Sequence, residues 1–164
     1  MCRHAIFVLR PLDSSELEAV ESFLSQGGRV VIGLSEALSP TLGGAWEKVI
    51  CQLGKWAACS VEEAAVEDFT LLSFIDTTRK PLDVFRSSSF RDFTSVFFWK
   101  HRDLRVQESE KQIPEARIMA SFDDEMPFLI KRDLNPGTVF IMTAGWTPEQ
   151  SQLGQNSRFA TLMI

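Results

Sequence analysis

The segment Arg117 to Gly145, RIMASFDDEMPFLIKRDLNPGTVFIMTAG, decides the fold because it reads as three consecutive strands joined by two tight turns. Arg117 to Phe122 has apolar residues at alternate positions, which is typical of a strand with one drier face. The acidic residues 123–125 then favour a turn, since short carboxylates bond nearby backbone N–H groups. Phe128 to Ile130 forms a second strand after Pro127, which cannot donate a ladder hydrogen bond.

The second turn of this segment carries the clearest local signal in the chain. In Asn135-Pro136-Gly137, proline presets φ at turn position i+1 and glycine supplies a positive φ at i+2, which predicts a type II turn. Val139 to Met142 follows as a third strand without alternation. A strand that is apolar on both faces needs cover on both, so we expect helices above and below the sheet.

The amino-terminal part reads as strand, helix, strand. Ala5 to Leu9 and Arg29 to Leu34 are continuous apolar runs typical of buried strands. Between them, Asp13 is a good N-cap with Glu16 at the capping-box position, and Gly27-Gly28 ends the helix. Such a unit over about 30 residues predicts two parallel strands with a right-handed crossover.

The middle of the chain is less regular. Gly44 to Leu53 has the apolar spacing of a short amphipathic helix, and Phe69 to Ile75 is strand-like. Ser95 to Lys100, SVFFWK, predicts a further strand that is apolar on both faces, and Arg105 to Pro114 predicts an exposed loop. Together these patterns predict an α/β fold with a mixed sheet, parallel at the start and antiparallel in the carboxyl-terminal meander.

Length and composition predict a single domain spanning residues 1–164. A hydrophobic content of 45% with 24% charged residues is that of a globular protein with its own core. The carboxyl-terminal run Ser157 to Ile164 starts an apolar helix or strand and has no cap, so we expect a fragment of a longer protein. With no apolar run of roughly 20 residues, we expect no direct membrane insertion by this chain.

Charge and cysteine content exclude several classes of site. The net charge of −5 argues against broad binding to phosphate backbones, so no nucleic-acid partner is expected. The three cysteines Cys2, Cys51 and Cys59 form neither a Cys-x-x-Cys pair nor an even framework, which predicts buried thiols and no structural zinc.

Three segments resemble a known family. They are FRSSSFRDFTSVFFWKHRDL (Phe85 to Leu104), the segment from Ser121 to Trp146, and TPEQSQLGQNSRF (Thr147 to Phe159). Each is similar to a segment of planctomycete-type membrane proteins of the BatA class, which carry amino-terminal membrane helices, often a von Willebrand A-like domain, and a carboxyl-terminal class I glutamine-amidotransferase-like domain. The likeness is strongest after Phe85.

The resemblance implies a flavodoxin-like, three-layer domain tethered to the bacterial inner membrane by an upstream segment, on either side of it. It also implies protein partners in a membrane-associated complex. The amidotransferase triad is not recoverable, because that chemistry needs a cysteine on a tight strand-to-helix elbow. Cys51 falls in a helix pattern and Cys59 in an irregular stretch. We therefore expect a degenerate, non-catalytic member that uses no cofactor.

Ser35 is the candidate nucleophile of a rival interpretation. Gly33 to Ala37, GLSEA, follows a buried strand and is similar to a nucleophile elbow, although Ala37 replaces the last glycine. In a serine hydrolase His101 would be the base and Asp76 or Asp83 its orienting acid. Ser39-Pro40 delays the helix that an elbow runs into, so we prefer a plain strand-end loop.

Two further patterns have ordinary explanations. Asp123, Asp124 and Glu125 could bind a divalent cation, but adjacent acids in a turn usually interact with solvent, and we expect no metal. Basic residues alternate with aromatic residues between Arg86 and Arg105, which could suit single-stranded nucleic acid. A buried strand with basic ends explains that pattern better.

Trp146, Glu149 and Gln150 are the predicted ligand-binding residues. They follow the last long strand, and ligands of open α/β sheets favour the carboxyl ends of strands. A small-molecule site or a partner groove is expected there, unless Trp146 only covers the core. The favoured function is a non-catalytic interaction or sensing domain, and the alternatives are a serine hydrolase and a small-molecule binding module.

Overall fold

The computed structural model describes residues 4–35, 39–80, 82–86, 95–107 and 116–155. The strands of these segments are β1 (Ala5–Val8), β2 (Arg29–Gly33), β3 (Ala58–Glu63), β4 (Leu72–Ile75), β5 (Arg102–Gln107), β6 (Arg117–Phe122), β7 (Pro127–Asp133) and β8 (Thr138–Met142). The α-helices are α1 (Ser14–Ser25) and α2 (Pro40–Gly54), and Leu82–Arg86 and Leu153–Gln155 form 3₁₀ helices. None of the described helices has the length and apolar content needed to cross a membrane.

The main sheet has six strands in the order β1-β2-β8-β7-β6-β4. Strands β1, β2 and β8 run parallel to one another, whereas β8, β7, β6 and β4 pair antiparallel. Strands β3 and β5 form a separate antiparallel pair. The predicted α/β class and mixed sheet are therefore confirmed, with parallel strands at the amino-terminal end and the predicted meander at the other.

Helix α1 begins where the sequence predicts. The side chain of Asp13 accepts the Glu16 amide, and the Glu16 side chain accepts the Asp13 amide, so the capping box is complete. Helix α2 begins at Pro40, four residues before the predicted start. The reason is local: Ser39 accepts the Leu42 amide at 3.2 Å, and proline is favoured in the first turn.

Both described α-helices pack on the same face of the main sheet. Leu17 of α1 and Ile50 of α2 share one buried cluster with Val30, Ile32 and other strand residues. The prediction of helices on both faces is not confirmed, since neither described α-helix lies on the opposite face. The opposite face is covered at its carboxyl end by a second cluster drawn from irregular segments and hairpin strands, which contains Phe98, Phe122, Phe128 and Leu153.

The predicted strand Ser95 to Lys100 is not a strand. Phe98 makes isolated bridges to Thr70 and Ser151, and its neighbours are irregular. Phe98 is fully buried and Val96 nearly so, whereas Phe97 is half-buried and Trp99 exposed, so this irregular segment buries only part of its apolar run. The predicted loop is also corrected in part: Arg105 belongs to β5, which pairs with β3, while residues 108–114 of that loop lie outside the described residues.

The turn between β7 and β8 is not type II. Asn135 takes a φ of 42°, the peptide bond that follows it is cis, and Gly137 has no positive φ. Glycine is needed at 137 for space instead. A Cβ there would clash with the carbonyl oxygen of Leu24 and lie 3.1 Å from its Cα. The last turn of α1 thus packs directly on this hairpin.

The prediction of buried thiols is wrong for two of the three cysteines. Cys51 in α2 and Cys59 in β3 form a disulfide, with their Cα atoms 6.0 Å apart and a sequence separation of 8. Helix α2 ends at Gly54 and the chain reverses into β3, which brings the two residues together. The spacing matches no common cysteine motif, so only the packing of α2 on β3 reveals the bond.

Replacing Gly137 with alanine is expected to lower the free energy of unfolding by about 1–3 kcal/mol, because the added methyl group meets backbone atoms of α1 that cannot rotate away. Urea denaturation measures the change. The control is Gly44→Ala in α2, where an added Cβ meets no atom within 4 Å. That variant is expected to be more stable by up to about 1 kcal/mol. Equal changes in the two variants would contradict the described packing.

Candidate functional site

Gln150 holds the carboxyl ends of β2 and β8 together. Its side-chain oxygen accepts the Gly145 amide at 3.0 Å, and its side-chain nitrogen donates to the carbonyl of Ser35. The backbone carbonyl of Gln150 accepts the amides of Trp99 and Lys100 at 2.8 and 3.2 Å. The side chain is buried and bonded at both ends. Gln150 therefore links the carboxyl ends of β2 and β8 through its side chain, and ligand binding by this residue stays a prediction.

The predicted serine hydrolase residues are not assembled into a triad. The carbonyl of Ser35 is bonded by Gln150, and its amide donates to Gly33 at 3.0 Å. His101 is fully buried, and its Nε2 lies 2.9 Å from Asp124 Oδ2. Among the described contacts, no hydrogen bond joins Ser35 to His101. The acids beside the ring are thus Asp124 and Asp103, and neither is a predicted orienting acid.

The position of His101 follows from its packing. The ring stacks on Phe122 at a centroid distance of 4.4 Å, and its Nδ1 lies 3.7 Å from Asp103 Oδ1. The predicted orienting residue Asp76 instead accepts hydrogen bonds from the amide and hydroxyl of Thr78, which hold the pKa of its carboxyl below the ordinary value. The predicted alternative, Asp83, lies in the 3₁₀ helix that begins at Leu82.

The acidic turn between β6 and β7 is engaged in internal contacts. Asp123 accepts the hydroxyl of Thr70, and Asp124 accepts the Met126 amide at 3.0 Å through the oxygen that does not face His101. Across the part of the chain that the structure describes, no three His, Cys, Asp or Glu side chains are grouped as metal ligands would be. The side chains of this turn therefore bond the meander to Thr70 and His101.

Two buried arginines were not predicted from the sequence. Arg102 is fully buried with its Nε 3.3 Å from Glu63 Oε1, and burial lowers the pKa of Arg102 while the charge of Glu63 opposes that shift. Arg132 lies over the ring of Trp56, with its guanidinium carbon 5.2 Å from the ring centroid. Arginine in a short strand ordinarily indicates an exposed position, so only the packing reveals these two.

The other two predicted ligand-binding residues, Trp146 and Glu149, differ in exposure, and their ligand binding stays a prediction. The Trp146 ring lies over Gly33, where an added Cβ would be 3.1 Å from it and 3.2 Å from a methyl carbon of Leu9. Trp146 is half-buried. Glu149 is exposed, and hydrogen bonds from its own amide and from Thr147 lower the pKa of its carboxyl. Trp146 thus covers part of the sheet face that the α-helices leave open.

A row of side chains crosses that face of the sheet below Trp146, on the side opposite the two described α-helices. The strand register places Phe7 beside Val31, Val31 beside Phe140, Phe140 beside Lys131, and Lys131 beside Arg117. Paired residues of neighbouring strands share one face, so these five residues line up. Phe7 is 40% exposed, and Val31 and Phe140 are partly exposed. We call this row the open sheet face.

The charges beside the apolar part of the open sheet face are mostly positive. Arg29 lies next to the row, two residues before Val31 on the same strand face. Lys131 pairs with Asp133 at 2.9 Å. Burial acts to raise the pKa of Asp133, but hydrogen bonds from Lys131 and Thr138 outweigh it, so that this pKa stays below its ordinary value. Arg29, Lys131 and Arg117 therefore border the apolar part of the row, on a chain whose net charge is −5.

A cavity of about 610 Å³ lies at the other end of the sheet. It is lined by the last turns of α1, by Lys55 and by the turn 134–137. Its two charged side chains, Lys55 and Glu21, are paired with each other. Because those charges are already compensated, the cavity offers a ligand little charge recognition, and the open sheet face is the stronger candidate.

Comparison with known proteins shows likeness in fold. No family model and no curated protein matches the chain. Among solved structures, the cytoplasmic protein STM1381 from Salmonella typhimurium LT2 is similar with a TM-score of 0.61 and 13% identity, over 97% of this chain and 68% of that one. A β-galactosidase from Rahnella sp. R3 is similar with a TM-score of 0.53 and 11% identity, over 96% of this chain and 22% of that one.

A third similar structure is an exo-β-1,4-mannosidase from Opitutaceae bacterium strain TAV5, with a TM-score of 0.49 and 11% identity over 85% of this chain. The chain spans 20% of the mannosidase and 22% of the β-galactosidase. At these identities, STM1381 and the β-galactosidase show a shared fold alone. The chain is thus an α/β domain with a mixed sheet of a kind also found in STM1381 and within a much larger glycosidase.

Proposed function

We propose that this chain is a non-catalytic interaction or sensing domain of a membrane-associated assembly, and that it is a degenerate relative of class I glutamine amidotransferases. The observation that carries the proposal is the open sheet face. The parallel strands β1, β2 and β8 have apolar residues on both faces of the sheet. The described α-helices cover only one of these two faces. Parallel sheets are ordinarily covered on both faces, so a partner protein supplies the second cover.

The proposal also covers the arrangement of layers in the domain and its location in the cell. In a flavodoxin-like, three-layer domain the second helical layer lies where this chain has Phe7, Val31 and Phe140 at its surface. An upstream segment tethers the domain to the bacterial inner membrane and holds it near the rest of its complex. The complete burial of His101, and the lack of any described hydrogen bond between it and Ser35, support a non-catalytic role.

Site-specific photocrosslinking in the native host tests the interaction role. A photoreactive phenylalanine analogue at position 7 is expected to give discrete protein adducts in the membrane fraction, because that side chain is 40% exposed on the open sheet face. The matched control is the same analogue at Glu18, an exposed position of α1. Position 18 is expected to give few or no adducts.

Two results would overturn this proposal. The first is adduct formation that is equal at positions 7 and 18, or absent from both. The second is labelling by a fluorophosphonate probe that Ser35→Ala abolishes, since that outcome requires an activated serine. In that case the chain would be a serine hydrolase, and the contacts of His101 would have to rearrange in the active protein.

A small-molecule binding module is the second candidate, favoured by the half-buried ring of Trp146 over Gly33 and Leu9. It would be indicated by a metabolite that quenches tryptophan fluorescence in the parent protein and not in Trp146→Phe. The comparison isolates one ring, because Trp46 is fully buried and Trp56 nearly so, while Trp99 is unaffected by the substitution.

A further inference from the structure

We propose that the open sheet face binds an amphipathic helix of a partner protein whose apolar stripe is bordered on one side by acidic residues. This inference rests on the interaction function proposed above and names the chemistry of the partner. Three features of the open sheet face support the inference. They are the apolar residues of the row, the width of that apolar part, and the position of the cations beside it.

The apolar part of the row is the surface that a helix would bury. Phe7, Val31 and Phe140 lie side by side on three neighbouring parallel strands. Their neighbours in the chain, such as Val30 and Val139, point to the opposite face and are fully buried under the described helices. The same three strands therefore have one face that is closed by helices and one that is partly in water.

The width of the apolar part fits one helix. Three strands are separated by two spacings of about 4.8 Å, so the strip is roughly 10 Å wide. An α-helix with its side chains is about 10–12 Å in diameter. A single helix running along β2 would cover Phe7, Val31 and Phe140 together. An extended peptide would instead favour a sheet edge, where unpaired backbone groups are available.

The position of the cations sets the charge of the partner. Lys131 and Arg117 continue the row on the side away from β1, and Arg29 lies next to Val31. Asp133 balances part of this charge through its pair with Lys131. The net charge of these four side chains is positive, whereas the net charge of the whole chain is −5. The positive charge is therefore a local property of this surface. A helix with acidic residues on one flank would meet Lys131 and Arg117.

Fluorescence anisotropy with two labelled peptides tests the proposal on the full chain. Both are designed helices of about 18 residues with leucine at positions i, i+3, i+4 and i+7, and they differ in carrying either glutamate or lysine along one side of that stripe. The acidic peptide is expected to bind about tenfold more tightly than the basic one at low salt, and the difference should shrink as salt is added.

Variants of the open sheet face separate the contributions of charge and of apolar contact to peptide binding. The charge reversal Lys131→Glu with Arg117→Glu is expected to invert the preference, so that the basic peptide binds more tightly. Phe7→Ser is expected to weaken both peptides about tenfold, since it removes apolar contact area. The control is Phe74→Ser on β4, which removes a phenylalanine that is 49% exposed at the far edge of the sheet. It should leave both affinities unchanged, and urea denaturation verifies that each variant is folded.

Four outcomes would overturn the inference. Equal binding of the two peptides, binding of neither, or a preference that survives the charge reversal would exclude an acidic helix. A concentration-dependent dimer in sedimentation experiments that Phe7→Ser abolishes would assign the surface to a second copy of this chain. If photocrosslinks at position 7 persist while the acidic peptide shows no advantage, the partner chemistry is wrong and the interaction function stands.

Discussion

Phe122→Ala is expected to lower the free energy of unfolding by about 3–5 kcal/mol, the usual loss when a fully buried phenylalanine leaves a cavity. Phe122 has no exposed surface. Its ring centroid lies 5.1 Å from that of Phe98, 5.5 Å from that of Phe128, and 4.4 Å from that of His101, on which it stacks. The substitution removes the centre of the second hydrophobic cluster.

Urea denaturation followed by circular dichroism measures this loss. The matched control is Phe74→Ala on β4, where the ring is 49% exposed. That variant is expected to lose no more than about 1 kcal/mol, because little apolar surface returns to water. If Phe122→Ala lowers the free energy of unfolding no more than Phe74→Ala does, the second hydrophobic cluster is not packed as described.

Removal of the disulfide is expected to cost about 2.5 kcal/mol in the variant Cys51→Ser with Cys59→Ser, from the loop-closure entropy that the bond removes from the unfolded chain. The bond closes a short loop with a sequence separation of 8 between α2 and β3. Its loss frees the unfolded chain more than the folded one, in which helix α2 and strand β3 stay packed against each other.

The reducing agent provides the control for this variant. Reduction is expected to lower the stability of the parent protein to that of the double serine variant and to leave the variant unchanged. Thiol titration of the denatured, non-reduced protein should find one thiol, since two of the three cysteines are bonded to each other. Three reactive thiols, with equal stability of the two proteins, would contradict the bond.

Local signals explain the elements that the sequence predicted well. The capping box of Asp13 and Glu16 forms in the structure as it reads in the chain. The meander of β6, β7 and β8 follows from alternation and from the acidic and Asn-Pro-Gly turns, which depend on residues a few positions apart. Patterns of this kind depend on backbone conformations and neighbouring side chains, so they can be predicted from the local sequence alone.

Long-range packing explains the predictions that failed. Ser95 to Lys100 reads as a strand because it is apolar, yet Phe98 at its centre is buried against Phe122 and Phe128, which are distant in sequence. Gly137 reads as a turn glycine, whereas the proximity of Leu24 in α1 is what requires it. Composition and periodicity report that a residue is buried, and they do not report which segment buries it.

The candidate site was only partly predictable for the same reason. Trp146 is predicted from the sequence as a ligand-binding residue, and this stays a prediction; in the structure its ring lies over Gly33 beside the open sheet face. The row itself depends on β2 pairing with β1 on one side and β8 on the other, which joins Phe7, Val31 and Phe140 across more than 100 residues. The hydrogen bond from the Gln150 side chain to Ser35 could not be predicted from the sequence, because it depends on where the fold places the Ser35 carbonyl.

The central claim is that one face of the parallel strands is open and binds a helix while the other is closed by α1 and α2. Methyl NMR of the complex with the acidic peptide tests this most directly, because Val30 and Val31 are adjacent in β2 and point to opposite faces. We expect intermolecular NOEs from the peptide leucines to the Val31 methyl groups and none to those of Val30. NOEs to Val30, or a peptide that binds without contacting Val31, would contradict the account.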